Sequence, residues 1–189
     1  MTLARGMAVL GGVVLTLLIA LTCVSVAGRM LNTALHGPVA ETVMPGLADW
    51  LIEAGIGPIT GDFELVEAGV AFAIFAFLPY CQITGGHASV DIFTSRLPHR
   101  VNRVIQVVVD LLFAAVLILI AWRLFAGMQD KMRYLETTFM LQFPIWWAYA
   151  ASFAAACVAA VTGIYVAAVR VVEWRSGQSI LDDRKGMNT

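Results

Sequence analysis

The sequence predicts an all-α integral membrane protein: four transmembrane helices with short interfacial amphipathic helices between them. Three observations predict it. The chain is 60% hydrophobic and only 13% charged, with a mean hydropathy of +0.82, whereas soluble domains carry about 25% charge. Four runs are nearly free of charge: Gly6 to Gly28, Leu65 to Gly86 with Glu67 alone, Val104 to Trp122 with Asp110 alone, and Leu141 to Val169. About 20 helical residues cross the roughly 30 Å hydrocarbon core, so each run is long enough to span. The stretches between the runs carry Gly, Pro and charge, and the first, about Arg29 to Asp62, is long for a bare helix connection.

The spans are expected at about 6–30, 63–84, 101–125 and 144–172, within one membrane domain covering 1–175. A polar cytoplasmic tail follows at 176–189. The first run could instead be a signal peptide, since Arg5 precedes it. It exceeds the usual apolar core of about 7–15 residues, and no small-x-small cleavage pattern follows. Lys and Arg set orientation. With both termini in the cytoplasm, the inner side holds eight: Arg5, Arg96, Arg100, Arg103, Arg170, Arg175, Arg184 and Lys185. The outer side holds four, Arg29, Arg123, Lys131 and Arg133.

Between the first two spans, "MPGLADWLIEAG" places Leu47, Trp50, Leu51 and Ala54 on one helical side and Asp49 and Glu53 on the other. Pro45 suits a first turn and Gly55 a stop, so an amphipathic helix at about 45–55 is expected on the outer membrane surface. The second span opens with "GDFELVEAG". Asp62 is a candidate N-cap, and Glu64 and Glu67 put negative charge at the positive end of the helix dipole. Both acids fall on the face of Ala68 and Ala71. They read either as a partner-binding patch or as helix-end electrostatics.

Pro79 is expected to kink or end the second span, and Gly85 and Gly86 to terminate it. A second amphipathic segment follows at about 88–97, with Val90, Phe93 and Leu97 on its apolar face and Pro98 closing it. His87 and Asp91 are four residues apart on another face. Two ligands do not make a metal site, which takes three or four, and no nucleophile in a triad setting accompanies them. A His–Asp hydrogen bond fixing an interfacial turn is the expectation. Neither a catalytic nor a metal site is expected, nor a cofactor.

In the third span Arg103, Gln106 and Asp110 form one polar stripe, expected to pair with a neighbouring helix or subunit because a lone intramembrane acid makes a poor proton relay. The fourth span carries small residues at every fourth position, Ala151, Ala155, Ala159, Gly163 and Ala167. Small residues let helix backbones approach closely in a membrane, so this ladder is expected to pack against a partner helix. Trp146, Trp147 and Tyr149 after Pro144 read as interfacial anchors. Cys23, Cys81 and Cys157 fall one in each of three spans, with no spacing that suggests a disulfide framework.

Taken together, "GDFELVE", "FLPYCQ", "GHASVDIFTSRLP" and "ETTFMLQFPIWWAYA" resemble the small membrane subunit of tripartite ATP-independent periplasmic (TRAP) transporters, the DctQ-like proteins. The resemblance runs from about Pro58 to Arg170, and the first span fits in length and in Arg29 after it. Its most specific element is Gly86, His87, Val90 and Asp91 followed by Leu97 and Pro98; Asp62, Phe63, Glu64 and Glu67 form the other motif. The segment from about Leu31 to Ile59 is longer than the family pattern.

The resemblance implies a scaffold subunit of the bacterial or archaeal inner membrane. It would assemble with a large DctM-like membrane subunit in the lipid bilayer and help dock a periplasmic DctP-like solute-binding protein. Such systems take up organic acids on an ion gradient; neither enzymatic activity nor a nucleic-acid partner is implied. Two other classes compete. A haem or quinone redox anchor needs facing histidines or outer cysteine pairs, and His36, His87 and His99 fall in loops or at helix ends. A stand-alone exporter wants an acid within the first span, which has none.

Overall fold

The computed structural model describes residues 1–36, 57, 59–85 and 99–176. Among them are four long helices: α1 (Thr2–Leu35), α2 (Asp62–Thr84), α3 (His99–Arg133) and α4 (Trp146–Ser176). All four are long and apolar enough to cross a membrane. The amphipathic segments expected at 45–55 and 88–97, and the tail beyond Ser176, lie outside the described residues.

Three of the helices overrun their expected bounds. Hydropathy locates the apolar span, but a helix ends only where its backbone is broken or capped. α1 meets neither Pro nor a turn sequence until His36, and α3 continues through Gly127 to Arg133. α2 passes through Pro79, which is buried, and stops where Gly85 takes a left-handed φ of 61°. At its other end the residue before the helix is Gly61, at φ 81°. Asp62 is therefore the first residue inside the helix, not the cap, because glycine takes the left-handed conformation without a Cβ clash.

In space the helices stand in the order α1–α2–α4–α3, each end helix packing on one neighbour. The α1–α2 contact depends on small residues. A Cβ on Gly11 would lie 3.0 Å from the Ala76 Cβ, and one on Gly69 would strike the Leu18 side chain. α4 lies between α2 and α3 and buries the most. Leu117 of α3 packs with Ala159 and Ala160 of α4, joined by Leu78 of α2 and Phe113 of α3. Phe125 and Phe153 extend the α3–α4 contact, with ring centroids 5.4 Å apart.

A short hairpin, residues 134–145, joins α3 to α4. Thr137 and Pro144 form its antiparallel bridge. The Thr138 amide donates to the Phe143 carbonyl at 2.9 Å, and the Ile145 amide to the Glu136 carbonyl at 3.0 Å. Leu135 and Gln142 turn the chain with φ of 51° and 55°. This is an uncommon conformation for residues with a Cβ.

Candidate functional site: the hairpin end and the buried polar groups of the helix row

At the hairpin end, the first turn of α2 meets the loop from α3 to α4. The Glu64 carboxylate accepts two backbone hydrogen bonds, from the Met140 amide at 2.7 Å on Oε1 and from the Leu141 amide at 3.0 Å on Oε2. A carboxylate shared by two adjacent amides is a charge-assisted clamp, and it ties segments 76 residues apart. The hairpin tip could not otherwise hold those amides, since its own ladder ends at Thr138 and Phe143.

Asp62 makes a second tie on the same end. It accepts from the Ser25 hydroxyl and from the Phe63 amide, and lies 3.5 Å from the Arg29 guanidinium. This clips α1 to the start of α2. Lys131 pairs with Glu136 at the base of the hairpin.

Beneath the hairpin lies a cavity of about 470 Å³. α2 contributes Glu64, Glu67, Ala68 and Ala71; α4 contributes Ala148, Tyr149 and Ser152; Leu124 comes from α3, and Thr138, Phe139 and Phe143 from the hairpin. Phe63 and Phe139 are 82% and 87% exposed, so the hairpin end presents two aromatic rings to its surroundings. Of the expected anchors, Trp147 is exposed and stacks edge-on against Trp146. Tyr149 instead turns inward, where its ring fills the space that a Cβ on Gly127 would need.

Towards the opposite end polar groups lie between the helices, Gln82 and Glu173 buried and Asp110 and Arg170 partly so. Arg170 of α4 lies 3.5 Å from Asp110 of α3 and 3.2 Å from Glu173 one turn on. Asp110 is thus matched within the chain. Gln106 of the expected stripe is exposed, and the Arg103 side chain lies outside the described residues. Gln82, in the quoted "FLPYCQ", is 8% exposed, and its amide rests on Gly163. A Cβ there would come within 3.1 Å of the Gln82 Oε1. The Gln82 Oε1 accepts no hydrogen bond among the described residues. Sequence reasoning passed over Gln82, for which a polar residue within an apolar span was the available signal, and Glu173, which lies just beyond the expected fourth span and gave none.

The small-residue ladder divides. Ala155, Ala159 and Gly163 are covered by the chain's own helices, whereas Ala151 is exposed. Gly86, His87, Val90, Asp91, Leu97 and Pro98 lie outside the described residues.

No curated protein and no solved structure matches the chain. A family model does, that of the tripartite ATP-independent periplasmic transporters, DctQ component, across residues 18–173. That span reaches from the middle of α1 to Glu173 near the end of α4. The chain is a multi-pass membrane protein and belongs to the DctQ component family of TRAP transporters.

Proposed function

We propose that this chain is the small membrane subunit of a TRAP transporter. It scaffolds a large DctM-like permease subunit and helps dock a periplasmic DctP-like binding protein for ion-gradient-driven uptake of an organic acid. The observation that carries the reading is the family match over residues 18–173. The open row adds support. Its end helices α1 and α3 leave Leu17, Val24, Leu112 and Leu119 more than half exposed, faces suited to lipid or to a larger membrane partner. In this reading the hairpin end faces the periplasm, both termini are cytoplasmic, and the chain itself is neither an enzyme nor a translocation path.

Ala151 is the ladder member left for a neighbour, so Ala151→Leu is the variant that probes assembly. It is expected to lower co-purification of the large subunit while the small subunit stays folded; full recovery of the complex would remove the ladder from that interface. Glu64→Lys with Glu67→Lys is expected to reduce receptor-dependent uptake in proteoliposomes. The decisive control is this subunit reconstituted alone, which should transport nothing.

A further inference from the structure

The cavity beneath the hairpin carries two polar groups left unmatched. The Glu67 carboxylate has no ion pair or hydrogen bond among the described residues. Ser152, only 2% exposed, lines the same cavity, and its hydroxyl likewise has no partner there. The Ser152 oxygen is not one of the sealed, unpaired atoms of the described residues, so it stands open to whatever occupies the cavity. Glu64, which lines the same cavity, is instead committed to the hairpin amides and makes no hydrogen bond to Ser152.

The walls define what fits. Tyr149 and Phe143, both partly buried, line the cavity together with the unmatched carboxylate, a combination that attracts an ammonium group. Ala71, Leu124 and Ala148 make the remainder apolar. The cavity therefore suits a cation carried on an amphiphile.

Its depth and opening favour a lipid. Trp146 and Trp147 begin α4, and tryptophans at a helix start mark the headgroup level. Ser152 lies six residues further along α4, about 9 Å deeper at about 1.5 Å per residue. The hairpin residues Thr138, Phe139 and Phe143 cover the cavity at its outer end, α4 forms its floor, and α2 and α3 flank it. With α4 standing between α2 and α3, a cavity lined by all three has the lateral face of the helix row as its remaining side, the face that would meet lipid. A soluble protein's lysine would have to reach around the hairpin; a headgroup in the same leaflet is already at that level.

We propose that this cavity is a binding site for an aminophospholipid, with the headgroup ammonium held by Glu67 and the aromatic rings. Ser152 and Tyr149 supply hydroxyls to the phosphate or ester oxygens, and the first acyl carbons lie along Leu124 and Ala71. The assignment rests on the cavity alone and holds whether or not the chain docks a receptor.

Native mass spectrometry of the full chain, released from nanodiscs of equal parts phosphatidylethanolamine, phosphatidylcholine and phosphatidylglycerol, tests it. Wild type is expected to retain phosphatidylethanolamine over phosphatidylglycerol by about fivefold, the scale of one exposed ammonium–carboxylate and aromatic contact. Glu67→Gln should abolish that preference, and Ser152→Ala should reduce it. Both are small changes that keep side-chain volume, and circular dichroism reports whether the variants stay helical. Equal retention of the lipids by wild type overturns the proposal. So does an unchanged preference in Glu67→Gln, including the case in which that variant loses only affinity for a soluble receptor, which would make the cavity a socket for a basic side chain.

Discussion

α4 and α1 are of similar length and similarly apolar, yet the protein uses them differently. α4 buries ten residues along 31, including Ala155, Ala156, Ala159, Ala160 and Gly163. α1 buries three along 34: Ala4, Gly11 and Ser25. Hydrophobicity is not what separates them, since within a bilayer lipid tails satisfy an apolar side chain as well as a neighbouring helix does. The difference is side-chain size and placement. Two adjacent rows of small residues let α4 sit between α2 and α3, while α1 approaches α2 at two glycines, Gly11 against Ala76 and Gly69 against Leu18, and through one polar clip.

The contrast can be broken most forcefully at Arg170. Arg170→Leu takes the cation from the half-buried Asp110 and the buried Glu173, and the loss is expected at about 3 kcal/mol, the low end for removing one partner of a buried ion pair. Unfolding in bicelles should show it as loss of the α3–α4 hairpin. A wild-type midpoint would mean that Asp110 and Glu173 are solvated.

Next comes Gly163→Val. Its added carbons meet Gln82 and Leu117, and overpacking costs about 1–3 kcal/mol. A paired Gln82→Ala should restore part of that loss, and the coupling is read from a double-mutant cycle. Additive effects would show that the two side chains do not share the space.

Gly11→Leu should be smaller for the whole protein, about 1 kcal/mol, but specific. Cysteine cross-linking between α1 and α2 should fall while the α2–α4–α3 contacts remain. Global unfolding by this variant would erase the distinction between the two helices. Ser25→Ala is expected to have the least effect, loosening the start of α2 from α1 with no change in the α3–α4 hairpin. Its readout is amide exchange at Phe63 and Glu64.

Much of this architecture was legible before the structure. Four apolar runs of membrane-crossing length gave four helices, and short motifs gave the family. The order of the helices was not legible. Helical periodicity reveals that Ala155, Ala159 and Gly163 share a face, but not which helix covers it. The ladder was read as meeting one partner, whereas Ala156 and Ala160 beside it make a stripe wide enough for two neighbours. Asp110 was recognised as needing a partner, yet its match is Arg170, sixty residues on. Glu64 was read through the helix dipole, and its larger role depends on amides that a turn at Gln142 brings within reach. No local pattern encodes that contact.

The spatial order α1–α2–α4–α3 also bears on how the chain can be made. Spans enter the membrane in the order of synthesis, and the helix that joins α2 to α3 is the last of the four to emerge. Until α4 is inserted, α2 and α3 have no common neighbour, and the polar groups of Gln82 and Asp110 lack the surfaces that later cover them. The first three spans must wait in lipid, or in the care of the insertion machinery, for the fourth. A ribosome stalled before Gly163 would leave an intermediate held by little more than the α1–α2 contact. Such a species should be the substrate that membrane quality control meets when this subunit is truncated.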